Sequence, residues 1–116
     1  MHIAQRSSGD VVVLDLHGKI AAGDTVIKET VDALISKGVR KVLLNFSDVP
    51  YMDSVGLNAI VRAHLALGRA GGGLRLVSVP KHLAHILSVT RLTSVFELFD
   101  TEPAAIESFN RAQGGV

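Results

Sequence analysis

Short apolar runs alternate with segments of helical periodicity along most of this chain. Between residues 23 and 38 the branched aliphatic side chains recur every three or four positions, which is typical of one buried helix face. Residues 41–46 then form a short apolar run of the kind found in buried strands, and the same alternation continues to residue 111. Because a strand, a helix and a further strand form a right-handed crossover between parallel strands, the pattern predicts an α/β sheet with helices packed on it.

The first twenty residues break this alternation. Two strand candidates, residues 2–7 and 10–17, are separated by the turn-forming trio Ser8-Gly9-Asp10, so they predict a hairpin. The chain as a whole predicts an α/β fold, with a mixed four- to five-stranded sheet, an N-terminal hairpin and the order β-β-α-β-α-β-α-β-α. The later predicted strands are 41–46, 74–79 and 95–99, and the predicted helices begin near residues 24, 54, 81 and 102 and end near 38, 68–73, 90 and 111.

Each later predicted helix has an apolar stripe that we expect to face the sheet. The residues expected to point inward are Leu57, Ile60, Val61, His64 and Leu65 in the second helix, Leu83, Ile86, Leu87 and Thr90 in the third, and Ala105, Ile106 and Phe109 in the fourth.

The composition predicts one compact domain over residues 1–116. Of the residues, 47% are hydrophobic but only 4% are aromatic, so branched aliphatic side chains must build the core. A chain of this length buries roughly two thirds of the surface that it exposes when unfolded. We find no linker or internal repeat, and we expect only residues 113–116 to form a frayed tail.

Charge and cysteine content argue against several classes of function. Twelve Lys and Arg oppose eleven Asp and Glu, and no basic stripe is present that would bind nucleic acid or an anionic membrane. The absence of Cys removes thiolate catalysis and is compatible with a reducing compartment. No apolar run suits a signal peptide or a membrane span. We therefore expect a cytoplasmic domain with no membrane insertion and no direct contact with nucleic acid.

Two features that resemble ligand sites have simpler interpretations. Residues 71–73 are three glycines, but they follow a predicted helix and precede a strand, the reverse of a phosphate-binding loop, so we interpret them as a helix terminator and connector. His82 and His85 lie three residues apart without a third metal ligand at recognisable spacing. We therefore predict neither a metal nor a cofactor.

The segment from Asp53 to Leu57 begins the second predicted helix. Asp53 or Ser54 suits the N-cap position, and an exposed serine hydroxyl there is also a site for modification. Gly56 has no side chain to obstruct an approaching protein, and Leu57 is expected to anchor the helix start in the core. From spacing alone, a plain cap is the simpler interpretation of Ser54.

Two catalytic interpretations of this region fail on chemistry. A hydrolase nucleophile elbow needs glycine two positions before the serine, where this chain has Met52. The run VLLNFSDVPYMDS is superficially similar to the strand and loop of a phosphoaspartate receiver, but the acceptor position is occupied by Asn45, which has no carboxylate to accept a phosphoryl group. We therefore expect a protein that is not an enzyme.

The run MDSVGL, followed after its helix by GGGLRLV and later by HILSVTRLTSVFELFDTEPAAIESF, resembles the anti-sigma factor antagonists of the STAS family. The resemblance covers nearly the whole chain and implies a STAS fold. It also implies that Ser54 is phosphorylated by a partner anti-sigma factor that is a serine kinase, that the unphosphorylated protein binds this partner and releases a sigma factor, and that a PP2C-type phosphatase reverses the modification. The alternative is a structural STAS subunit of a lipid-transport or stress-sensing complex, in which Ser54 is only a cap.

The chain departs from the family pattern at two places. After the second strand, family antagonists commonly have an acidic residue beside a glycine, near the partner-binding face, whereas this chain has Lys19 after Gly18 and its acid is delayed to Asp24. Val55 stands where many members have a second serine. The resemblance therefore implies a partner-binding region of Asp53 to Leu57 with Lys19 and Asp24, with altered charge and with Ser54 as the single hydroxyl of the motif.

Overall fold

The computed structural model describes residues 1–21, 23–91 and 95–114, with side chains described up to residue 110. The strands are β1 (His2–Ser8), β2 (Val11–His17), β3 (Lys41–Asp48), β4 (Gly73–Val77) and β5 (Glu97–Phe99), and the helices are α1 (Val26–Ser36), α2 (Ser54–Arg69), α3 (Lys81–Val89) and α4 (Glu102–Gly114). The predicted element order is confirmed.

The five strands form one mixed sheet in the order β1-β2-β3-β4-β5. β1 and β2 are antiparallel, which confirms the predicted hairpin, and each later neighbour is parallel to the strand before it. Parallel pairing follows from the helices that cross over between successive strands. As a result, the loops after β2 and β3 leave the sheet at the same edge.

The two faces of the sheet bury different clusters. α1, α2 and α3 cover one face and build the larger core with alternate residues of the strands, whereas α4 covers part of the other face with Ala105 and Phe109. β2 contributes to both clusters, since Leu14 lies in the larger and Val13 in the smaller. This strand is therefore covered on both sides.

The predicted inward position of Leu65 is wrong, because its side chain is 47% exposed. The buried residues of α2 include Leu57, Ile60, Ala63 and Leu67. At about 100° of rotation per residue, Leu65 falls on the opposite side of the helix from this stripe. Small alanines complete the buried stripe, and their weak apolar signal explains the error.

The third helix is also shorter than predicted. Thr90, which we expected to face inward, is exposed and ends α3, and its hydroxyl donates to the Ile86 carbonyl at 2.8 Å. The hydroxyl therefore satisfies a carbonyl at the helix end instead of entering the core. Leu83 and Leu87 are buried as expected.

Two boundaries near the C-terminus need correction. The last strand begins at Glu97 and not at residue 95, while residues 92–94 lie outside the described part. α4 continues to Gly114 and not only to about residue 111, and residues 115 and 116 lie outside the description.

An ionic network joins the hairpin to α4. The guanidinium of Arg6 donates to both carboxylate oxygens of Asp15, at 2.6 and 2.9 Å, and to Glu102 at 2.7 Å. Asn45 of β3 also donates to Asp15, at 2.8 Å. Hydrogen bonds from Arg6, its largest influence, hold the pKa of Asp15 below its ordinary value. The network ties β1, β2, β3 and α4 together on the less covered face of the sheet.

Candidate functional site

The loop after β2 and the loop after β3 meet at the carboxyl edge of the sheet. Ile20 forms an isolated parallel bridge with Met52. The Ile20 amide donates to the Tyr51 carbonyl at 2.9 Å, and the Asp53 amide donates to the Ile20 carbonyl at 3.1 Å. Backbone hydrogen bonds therefore place the segment that contains Lys19 and Asp24 directly against the start of α2.

Asp53, and not Ser54, is the N-cap of α2. Its backbone is extended, with φ −97° and ψ 172°, and its carboxylate accepts a hydrogen bond from the Gly56 amide at 2.5 Å. A carboxylate here satisfies a free N–H of the first turn and also lies at the positive end of the helix dipole. Of the two capping residues that the sequence allowed, the structure selects the first, so capping by Ser54 is wrong.

Ser54 is the first residue of α2 and is exposed. Within the part of the chain that the structure describes, its hydroxyl has no hydrogen-bond partner. Because Asp53 satisfies the helix start, the Ser54 oxygen is available to an approaching molecule. Capping and presentation of a hydroxyl are thus divided between two neighbouring residues.

Gly56 serves a different purpose from the one expected. It is buried, and a Cβ atom added to it would collide with the Ile20 carbonyl and lie 2.9 Å from the Ala21 amide nitrogen. Real Cβ atoms do not approach backbone so closely, and only glycine allows α2 to pack on this loop. Gly56 therefore makes room for the loop after β2 and not for a partner protein.

The two remaining motif residues face opposite ways. Leu57 is 3% exposed and lies in the larger core, as predicted, whereas Val55 is 56% exposed. An isolated exposed valine is ordinary, but this one adjoins the only serine of the motif. The start of α2 thus presents Ser54 and Val55 together at the surface.

Lys19 and Asp24 both lie in the loop after β2, but their side chains differ in their contacts. Lys19 is exposed, and the described residues offer it no ion pair. One Asp24 carboxylate oxygen accepts from the Val26 amide at 3.0 Å, and the other lies 3.9 Å from the amino group of Met1. The acid of this loop is therefore already engaged at the start of α1, and the free charge is the lysine.

A cleft of about 490 Å³ lies between this loop and α2, and we call it the motif cleft. On the α2 side, Asn58 and Arg62 supply polar side chains, while Val55 and Ala59 add apolar surface. The lining is completed by Ala21, Gly23, Asp24 and Thr25. The motif cleft therefore brings together the two segments that the sequence connected only through a family resemblance.

Two histidines contact the end of β3 and the loop that follows it, and sequence reasoning missed both contacts. His82 Nε2 lies 3.0 Å from the Pro50 carbonyl oxygen, and His17 Nδ1 lies 2.9 Å from the Asp48 carboxylate. His82 is exposed. The contact of His82 with Pro50 could have been expected from the position of His82 in the first helical turn after Pro80, because the loops after parallel strands converge at one edge of the sheet.

The described residues contain neither a cluster of metal ligands nor a membrane-spanning helix. Across residues 1–21, 23–91 and 95–114, no group of three or more His, Asp or Glu side chains is arranged to hold a metal ion. Over the same ranges, no helix combines the length and the apolar character that crossing a bilayer requires.

Comparison with known proteins identifies the family. The STAS domain profile matches residues 2–105, so this chain belongs to the STAS domain family. A proposed anti-sigma factor antagonist of Thermotoga neapolitana is 36% identical over 76 residues, which span 66% of this chain and 67% of that protein. Another from Thermotoga maritima is 34% identical over 80 residues, spanning 69% of this chain and 71% of that protein.

Solved structures agree with this assignment. The crystal structure of a proposed anti-sigma factor antagonist from T. maritima has a TM-score of 0.87 and 30% identity, and the match covers 94% of this chain and 95% of that one. The anti-sigma factor antagonist SpoIIAA in its unphosphorylated form has a TM-score of 0.71 and 18% identity, covering 97% and 99% of the two chains. The phosphorylated form of SpoIIAA from Bacillus has a TM-score of 0.71 and 19% identity, covering 92% and 98%. The SpoIIAA comparisons show the shared fold.

Proposed function

We propose that this chain is an anti-sigma factor antagonist, a regulatory protein and not an enzyme, that binds an anti-sigma factor serine kinase and loses that binding when Ser54 is phosphorylated. The observation that carries the proposal is the exposed Ser54 hydroxyl, which takes no part in capping α2. The relatives named as proposed anti-sigma factor antagonists supply the class of partner. In this proposal residues 1–116 form one cytoplasmic domain, and a PP2C-type phosphatase removes the phosphoryl group.

The geometry of the site supports a modification that leaves the fold intact. A phosphoryl group adds about −1.5 to −2 charges at neutral pH. At the first residue of a helix, negative charge gains roughly 0.3–1 kcal/mol from the helix dipole, which offsets repulsion from the neighbouring Asp53 carboxylate. SpoIIAA, which shares this fold, has been solved in both phosphorylated and unphosphorylated forms. We therefore expect phosphorylation to change the surface and not the core.

The free-energy cost of the modification then falls on the complex. A new charge within an interface faces repulsion and loss of solvation that amount to several kcal/mol. Because about 1.4 kcal/mol corresponds to tenfold in affinity, a cost of about 3 kcal/mol weakens binding roughly a hundredfold. The surface on which this free-energy cost acts consists of Ser54, Val55, Lys19 and the motif cleft.

Phosphorylation in vitro tests the proposal. The purified chain is incubated with a purified anti-sigma factor serine kinase from the same organism and ATP, and the product is followed by intact mass and peptide mapping. We expect one phosphoryl group on the wild type and none on Ser54→Ala. Ser47→Ala is the matched control, because Ser47 is an exposed serine near the end of β3 and outside the motif, and we expect it to be phosphorylated like the wild type.

A binding measurement with Ser54→Asp distinguishes this proposal from the alternative role, a structural STAS subunit in a lipid-transport or stress-sensing complex. In that role Ser54 has no regulatory chemistry, so Ser54→Asp would retain partner binding. Since Asp53 forms the cap, Ser54→Asp changes surface charge without removing the cap. Loss of kinase binding by a folded Ser54→Asp variant supports the antagonist over the structural subunit.

A further inference from the structure

The motif cleft opens beside Ser54, and its lining decides which kind of partner segment fits. Val55 and Ala59 offer apolar contact on the α2 side, and Ala21 faces them from the loop after β2. Asn58 and Arg62 add hydrogen-bond donors one and two turns along the helix from the motif. The cleft therefore suits a mixed segment that combines an aliphatic and a polar side chain.

The charge that the cleft leaves free is positive. Arg62 is exposed, and within residues 1–21, 23–91 and 95–114 it makes neither an ion pair nor a side-chain hydrogen bond. Asp24, the acid of the lining, is engaged with the Val26 amide and near the amino group of Met1. Lys19, in the same loop as Asp24, adds a second exposed cation without an ion pair in those ranges.

The direction of the Arg62 side chain places this charge near the motif. Side chains on a helix lean toward its N-terminus, so Arg62 extends over the turn that contains Asn58, on the side of α2 that carries Val55. Its planar guanidinium offers paired donors that match the two oxygens of a carboxylate. An acidic side chain is the chemistry that this arrangement recognises best.

We propose that the motif cleft receives an acidic segment of the anti-sigma factor partner, with Arg62 binding its carboxylate and Val55 contacting an adjacent aliphatic side chain. This inference rests on the proposed function and deepens it by assigning the charge of the partner. It also assigns a specificity-determining role to Arg62, which lies outside the Asp53 to Leu57 motif.

The direction of the phosphorylation switch supports an acidic segment over a basic one. A phosphoryl group on Ser54 adds negative charge at the rim of the cleft and competes for Arg62 and Lys19. It therefore repels an acidic segment, whereas it would attract a basic segment and strengthen the complex. A partner segment that contributes the acid accounts both for release on phosphorylation and for the cationic side of the cleft.

Affinity measurements with charge variants test the inference. The purified anti-sigma factor serine kinase is titrated with the wild type, Arg62→Gln, Arg62→Glu and Lys37→Glu, after circular dichroism confirms that each variant is folded. Lys37 is the control because it is exposed and lines a different cleft, beside the β1–β2 turn and the start of β3 at the opposite end of the sheet. Lys37→Glu makes the same change in net charge as Arg62→Glu.

We expect Arg62→Glu to weaken binding about tenfold or more, Arg62→Gln to weaken it less, and Lys37→Glu to bind like the wild type. Wild-type affinity should fall as salt is raised, with a shallower dependence for Arg62→Gln. Wild-type affinity in Arg62→Glu overturns the assignment of the cleft, while Ser54 phosphorylation and wild-type binding still support the proposed function. A wild-type chain that neither binds nor becomes phosphorylated overturns both.

Discussion

At the scale of single residues, the start of α2 assigns helix capping and the proposed phosphorylation to two different residues. Asp53 accepts the first-turn hydrogen bond from Gly56, whereas the neighbouring Ser54 hydroxyl is exposed and takes no part in the cap. A serine that both capped the helix and accepted phosphate would have to rearrange its cap hydrogen bond on modification. The division of roles allows Ser54 to change charge while the helix start stays closed.

This division predicts that alanine substitution lowers the free energy of unfolding at Asp53 much more than at Ser54. Asp53→Ala removes a cap and should lower the free energy of unfolding by about 0.5–2 kcal/mol. Ser54→Ala should change it by no more than about 0.5 kcal/mol, because an exposed helical position is altered. Urea unfolding followed by circular dichroism measures both. Asp53→Asn, which retains a capping oxygen, should recover most of the loss, and an equal cost for both alanine variants would contradict the assignment of the cap.

Two glycines of α2 should respond to the same substitution with opposite signs. A Cβ atom at Gly56 would collide with the Ile20 carbonyl, so Gly56→Ala should destabilise the fold by roughly 1–3 kcal/mol. Gly68 has no atom within 4 Å of its added Cβ, so Gly68→Ala should stabilise the helix by roughly 0.5–1 kcal/mol. Thermal unfolding of the two variants compares them directly. A stable Gly56→Ala protein would mean that α2 does not pack on the loop after β2.

At the scale of elements, the sequence was sufficient for the order, the hairpin and the parallel strands, because apolar periodicity and short connections encode them. It was insufficient for the inward face of α2, where Ala63 carries too little apolar signal to outweigh Leu65. The choice between Asp53 and Ser54 as N-cap was also beyond it, since both residue types cap well and one backbone dihedral decides. The contact of Gly56 with Ile20 depends on tertiary packing and has no local signal.

The ionic network between the hairpin and α4 predicts how stability depends on pH. Hydrogen bonds from Arg6 lower the pKa of Asp15 in the folded state, so the pair stabilises the fold fully above about pH 4, the ordinary pKa of an unfolded aspartate. That stabilisation is lost as the pH falls through the lower folded pKa, because protonated Asp15 no longer pairs with Arg6.

Thermal unfolding of the wild type and of Arg6→Gln, measured from pH 7 downward, tests this dependence. The wild type should melt at the higher temperature at neutral pH, and the difference should shrink as the pH falls below about 4. A difference in melting temperature that stays constant to strongly acidic pH would show that Arg6 stabilises the hairpin through packing of its stem and not through Asp15.

At the scale of the whole molecule, the sheet holds two loops in contact with each other. The function proposed for these loops depends on the charge of their surface. The core behind the motif consists of Leu57, Ile60 and their neighbours from β2 and β3, and we expect none of them to change on modification of Ser54 because all are buried. The proposed switch therefore needs no refolding. Its two components are the phosphoryl group at Ser54 and the cationic side of the motif cleft at Arg62.

The kinase reaction on the wild type and on Ser54→Ala tests this account most directly when each product is then measured for affinity to the same kinase. The account predicts one phosphoryl group on Ser54 of the wild type, a loss of affinity of roughly a hundredfold, and an unmodified Ser54→Ala protein that stays bound under the same treatment. Phosphorylation of Ser54→Ala to the wild-type extent, or undiminished affinity of the wild type phosphorylated at Ser54, would contradict it.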